Sequence, residues 1–227
     1  MKVTEIFRSI QGEGPYTGMS AAFVRLEGCN LKCTFCDEAK VMRELGFLVS
    51  SEKLYEMIDA MPASQLIVFT GGEPMLQQEE LTDLIKVIHE RGLWGNPNPT
   101  IQIETNGTVE LLPELSYIYK RKDNVKQVHF VVSPKSQKDY MCLIDPSTYN
   151  VTLKYVVNED LTVRMVHNVM RKWPWIDCYL NCQDNDFGTW MPRVMEILAA
   201  CTGTGLNIRM GTQMHKIWGE MKLNYGG

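Results

Sequence analysis

A chain of 227 residues, 44% hydrophobic, can bury a sizeable core, and barrel-like α/β folds often reach this length undivided, so one domain over 1–227 is expected. A formal charge of −4 with no basic stripe argues against an electrostatic grip on nucleic acid or an anionic membrane and favours a small-molecule partner. No apolar run nears the ~20 residues that span a bilayer, MKVTEIFRSI lacks a signal-peptide core, and an odd count of seven cysteines suits thiols or metal ligands better than a disulfide framework, so a cytoplasmic protein is expected.

The opening EIFRSIQGEGPYTG reads as a turn-rich loop whose glycines permit a tight path. Seven short β-branched runs follow: AAFVRL (21–26), QLIVFT (65–70), TIQIET (100–105), QVHFVV (127–132), TLKYVV (152–157), IDCYLN (176–181) and LNIRM (206–210). Helical patterns fit 51–61, 76–92, 160–172 and 189–201; in the second, Leu81, Leu84, Ile85 and Ile88 are helically spaced and Gly92 stands where a C-terminal cap belongs. WGNPNPT (94–100) is a turn-rich connection. This βαβα rhythm implies parallel strands with right-handed crossovers, either a full or partial βα barrel or an open doubly wound sheet; we prefer the barrel, in a partial, incomplete form.

The unusual residues fall after strands. GCNLKCTFCD follows the first, TGGEP the second, ETNG the third, SPK the fourth, NCQDN the sixth and GTQMHK the last, so all six belong on the rim where ligands gather in parallel α/β folds. Cys29, Cys33 and Cys36, spaced C-x3-C-x2-C, are one thiolate short of a closed zinc site, whereas on a four-iron cluster they leave one iron open to a bidentate ligand. Zinc, with Cys182 or a histidine as distant fourth ligand, is the competing reading, weakened because the sequence has no second C-x2-C knuckle. Cys142, Cys178, Cys182 and Cys201 read as structural thiols. Gly71 and Gly72 admit close backbone approach to a ligand and Glu73 can hold an ammonium; the plainer alternative is a turn in which Pro74 opens a helix. Arg25 shares a strand face with Ala21 and Phe23, where a guanidinium needs a partner, either a substrate carboxylate or an internal pair with Glu5 or Glu27. Lys154, a charge inside TLKYVV, is an interior candidate without an assigned role, and His215 taken alone is more often structural.

C-x3-C-x2-C after the first strand with TGGEP after the second resembles the radical S-adenosylmethionine (SAM) superfamily. QGEG, RLEGC and QMHK narrow the resemblance, over residues 5 to 216, to the 7-carboxy-7-deazaguanine synthase family. The resemblance implies a [4Fe-4S] cluster on Cys29, Cys33 and Cys36, with the methionine end of SAM on the open iron. The radical then arises from cluster and SAM, with no side chain as catalyst. Gly72, Glu73, Thr105, Ser133, Lys135 and Gln183 are the implied SAM surroundings, and Gln11, Glu13, Gly14, Arg25, Thr70, Gly71 and His215 the implied substrate contacts. The implied reaction is a lyase reaction on the queuosine route: 6-carboxy-5,6,7,8-tetrahydropterin becomes 7-carboxy-7-deazaguanine with release of ammonia, and SAM is regenerated. The family commonly has a threonine after the Cys-Asp pair to help bind Mg2+; this chain has Glu38, which with Asp37 offers hard oxygen ligands. A flavodoxin-like electron donor and a homodimer are further implications. The alternatives are an activating enzyme that places a glycyl radical on a partner protein, disfavoured by QGEG and Arg25, and a non-enzymatic iron–sulfur or zinc protein.

Overall fold

The structure, a computed structural model, describes residues 1–36, 45–120, 128–135, 143–219 and 223–224. Asp37, Glu38 and Cys142 therefore lie outside the described residues. Among the described residues ten strands form one sheet: β1 (Lys2–Ile10), β2 (Ser20–Leu26), β3 (Phe47–Leu48), β4 (Leu66–Gly71), β5 (Thr100–Thr105), β6 (Val128–Val132), β7 (Asn150–Val157), β8 (Asp177–Cys182), β9 (Asn207–Gly211) and β10 (Leu223–Asn224). Their order is β10-β1-β2-β4-β5-β6-β7-β8-β9, with β3 on β1. From β2 through β9 every neighbouring pair along this order is parallel, and β9 and β10 end it without pairing, so the sheet is unclosed, in keeping with an incomplete barrel.

The seven expected strands are β2 and β4 to β9, displaced by two residues at most. The N-terminal expectation is corrected: Lys2–Ile10 is a strand antiparallel to β2, and the loop is confined to the residues after it. A bulge between Val3 and Glu5 breaks the apolar–polar alternation that marks a strand, which hid β1 from a reading by period.

Among the described residues five α-helices accompany the sheet: α1 (Ser51–Asp59), α2 (Gln78–Arg91), α3 (Val163–Lys172), α4 (Phe187–Cys201) and α5 (Met214–Trp218). Leu81, Leu84, Ile85 and Ile88 of α2 are fully buried, and Gly92 ends the helix at φ +73°. The α3 helix starts later than its pattern suggested because Asn158 Oδ1 accepts from the amides of Asp160 and Leu161, holding a turn, and Thr162 then caps Met165 N.

Strand register explains the interior. Ala22, Val24, Ile67, Phe69, Ile101, Ile103 and Phe130 join the core with α1 and α2, while the alternate residues face the other way, where Ala21, Leu66 and Val68 form a small separate cluster. Towards the carboxyl ends this second face turns polar. Arg25 pairs with Thr70 in register, Gln102 with His129, and Lys154 with Tyr179, and Gln102, His129, Thr152, Lys154 and Asn181 are all buried. So many buried polar groups are tolerated only where they bond one another or a ligand.

Candidate active site

At the carboxyl ends of the strands lies a cavity of about 890 Å³, of a size suited to small-molecule and cofactor sites. All six post-strand segments reach it, as does the QGEG loop. Cys29, Cys33, Cys36, Gln11, Glu13, Arg25, Thr70, Gly71, Gly72, Thr105, Ser133, Lys135, Gln183 and His215 line it. Two expected contacts do not: Gly14, the last residue of QGEG, is buried where it opens the turn Gly14–Tyr16 at a φ of +68°, and Glu73 is wholly buried behind the wall.

On one side stand the cysteines, none in a disulfide bond. The Cys29 sulfur accepts from Leu31 N at 3.4 Å, and Cys36 N donates to Cys33 O at 3.3 Å. Burial lifts the Cys33 thiol, Lys135 opposes the rise, and Cys36 and Cys29 add to it. Among the described residues no three His, Cys, Asp or Glu side chains are set around a single metal ion. Three thiols round one cavity are one ligand short of a closed zinc site and suit a polynuclear cluster, in which each iron takes its own thiolate.

The glycines of TGGEP serve this loop. A Cβ on Gly72 would collide with the carbonyl of Gly28, and one on Gly71 with the backbone of Leu26. Gly72 N donates to Leu26 O at 3.0 Å and Glu73 N to Gly28 O at 2.8 Å, so the close approach is to the cysteine loop, where a ligand had been expected. Glu73 is held by the same turn: its oxygens accept from Thr105 Oγ1 at 2.6 Å, Asn106 N at 2.7 Å and Met75 N at 3.0 Å, fixing the turn to the end of β5. Asn106 Nδ2 donates to Asn30 Oδ1 and Asn30 Nδ2 to Thr108 Oγ1, both at 2.9 Å, and these bracing residues went unnoticed in the sequence.

The opposite side is ionic. Lys154 Nζ lies 2.6 Å from Glu13 Oε2 and 2.7 Å from Glu104 Oε2, and Asn181 Nδ2 donates to Glu13 Oε1 at 3.4 Å. Burial works to raise the Glu13 carboxyl, but Lys154, with His215 and Gln213, holds it down to about 2. Burial keeps Glu104 raised despite Lys154, and Glu13 adds to that rise. Burial disfavours the Lys154 ammonium, yet Glu104 and Glu13 together keep it protonated. Gly12 sits under His215, whose Nδ1 a Cβ there would approach to 2.7 Å, and Met214 N donates to Gly12 O at 3.0 Å, joining QGEG to QMHK. Asn185 Nδ2 donates to Gln213 O and Gln213 N to Asn185 Oδ1, while consecutive Asp184 and Asn185 take φ values of +54° and +55°, a cost typical of functional loops.

Arg25 bonds Glu5 through Nε at 3.1 Å and lies over the Phe7 ring, so the internal pair exists while the side chain also lines the cavity. Among the described residues, Gln11 Nε2, Gln213 Oε1 and Asn181 Oδ1 are buried without partners, and Gln11 and Gln213 line the cavity. Glu104 escaped the sequence reading; its signal was a carboxylate alternating with apolar residues inside TIQIET, as Lys154 is in TLKYVV.

Comparison with known proteins places this geometry. A family model for the radical SAM superfamily matches residues 23–175. A 7-carboxy-7-deazaguanine synthase of Thermoplasma acidophilum is 30% identical over 224 residues, covering 96% of each chain. Another, of Hyperthermus butylicus, is 43% identical over 136 residues, 60% of this chain and 52% of that one, so there the match spans about half the relative's length. The crystal structure of QueE from Escherichia coli superposes with a TM-score of 0.67 at 22% identity, covering 93% of both chains, a likeness of fold. The chain belongs to the radical SAM superfamily and, within it, to the 7-carboxy-7-deazaguanine synthase family.

Proposed function

We propose that the chain, as one domain, is a cytoplasmic lyase that converts 6-carboxy-5,6,7,8-tetrahydropterin to 7-carboxy-7-deazaguanine with loss of ammonia. The observation that carries this reading is the union, across one cavity, of the three-cysteine loop with the joined QGEG and QMHK segments. Cys29, Cys33 and Cys36 would hold a [4Fe-4S] cluster, which with SAM supplies a radical able to take hydrogen from carbon. Gly72, Thr105, Ser133, Lys135 and Gln183 border the SAM region, with Glu73 bracing it from behind. Gln11 donates from Nε2 and Glu13 accepts at the pterin edge, and His215 closes over it. Arg25, oriented by Glu5, takes the substrate carboxylate beside Thr70 and Gly71. Asp37 and Glu38 follow Cys36 directly and are the proposed Mg2+ ligands. A flavodoxin-like donor and a homodimer complete the proposal.

Anaerobic reconstitution with iron and sulfide, then incubation with SAM, dithionite and the pterin, tests it. The deazaguanine chromophore is expected; a fully loaded protein that answers SAM but leaves the pterin unchanged rejects the substrate.

A further inference from the structure

A lysine inside a parallel strand needs a reason, because an apolar side chain there would suit the fold as well or better. Lys154 is 7% exposed within an otherwise apolar run, and its two carboxylate partners come from distant parts of the chain, Glu13 from the QGEG loop and Glu104 from the end of β5. All three line the cavity. We propose that Lys154 is a positioning residue for the substrate: its ammonium clamps the QGEG loop to β5 and fixes Glu13 as the anion that meets the N–H edge of the heterocycle. This rests on the pterin reading above.

One cation faces two carboxylates, so the group carries a surplus negative charge in a buried place. The other groups around it do not cancel that surplus one for one. His215 of α5 acts on Glu13 from across the loop, Asn181 of β8 is neutral, and His129 of β6 is engaged with Tyr16 and Thr152. Further round the wall Arg25 is bonded to Glu5 and Lys216 to Asp184, while Lys135 donates to Ser133. With Lys154 present Glu13 is held low and Glu104 is left high, so the pair is divided into an anion and a weaker acid. Without it, two neighbouring carboxyls would share a proton, and Glu13 would cease to be a dependable acceptor.

The test uses Lys154→Met, of similar length without charge, and the double variant Lys154→Met/Glu104→Gln, which also removes the surplus carboxylate. Each is loaded with iron and sulfide and examined for the SAM-dependent change in the reduced cluster's EPR spectrum, and for kcat and KM of the pterin against pH. Both are expected to load iron and answer SAM, with KM raised at least ~10-fold, the effect of losing a charged hydrogen-bonding partner. Relative to wild type, the single variant gains a new ionisation in kcat/KM between about pH 5 and 8. A folded single variant whose KM or pH profile matches wild type overturns the proposal. So does loss of iron loading and SAM response in both variants, which would make Lys154 a structural bolt. If wild type turns over no pterin, the substrate reading fails and the clamp is judged by thermal unfolding against pH. The single variant then loses stability as pH rises over about 5 to 8, its shared carboxyl proton being bound more tightly folded than unfolded, and loses more than wild type, in which Lys154 opposes the rise of both carboxyls. Its absence there would overturn the clamp as well.

Discussion

The two sides of the cavity are built differently. On the cysteine side three loops interlock through backbone contacts that only glycine permits and through Glu73, whose oxygens are occupied by Thr105, Asn106 and Met75. On the QGEG side the wall is held by ion pairs around Lys154 and leaves buried amide atoms of Gln11 and Gln213 without partners. A side satisfied within the protein is a rigid seat for a bulky cofactor; a side with unsatisfied donors and acceptors awaits a polar ligand. The contrast supports the proposed placement of SAM and cluster on the first and of the heterocycle on the second.

That contrast can be broken from either side. Replacing any of Cys29, Cys33 or Cys36 with Ala should abolish activity and cluster loading, read by iron content, yet leave thermal unfolding nearly unchanged, since all three thiols are only partly buried. Gly72→Ala should cost of the order of 3–5 kcal/mol in urea unfolding, because the new methyl meets a carbonyl of the cysteine loop that cannot retreat. On the ionic side the handle is pH. The Glu13 carboxyl falls from 4.5 to about 2 on folding, so its contribution is complete above the unfolded value and disappears as pH drops towards 2; wild type should lose stability through that window and Glu13→Gln lose less. Smallest is Lys216→Ala, which removes a partly exposed pair with Asp184 and should change stability by less than about 0.5 kcal/mol in the same unfolding experiment.

Much of this was legible in the sequence because it is local. TIQIET occupies β5 end to end, α2 buries the four apolar residues its spacing marked, and the motif-bearing loops do meet at one rim. What was not legible depends on partners far along the chain. Nothing near Gly72 announces that its neighbour is Gly28, and nothing near Lys154 announces Glu13, 141 residues away. Glu73 reads as a ligand from its motif, and only the fold turns its carboxylate inward to Thr105 and Asn106. The two-residue strands β3 and β10 are too short to carry any period, and β1 is disguised by its bulge.

The division of the cavity is tested most directly by measuring both ligands on one pair of variants, Gln11→Ala and Gln213→Ala, reconstituted anaerobically. SAM is followed through the reduced cluster's EPR spectrum and the pterin by equilibrium binding. The account predicts an unchanged SAM response with pterin affinity lowered about 10-fold or more, as expected when hydrogen-bonding groups at a ligand edge are removed. An impaired SAM response with pterin affinity intact would contradict it.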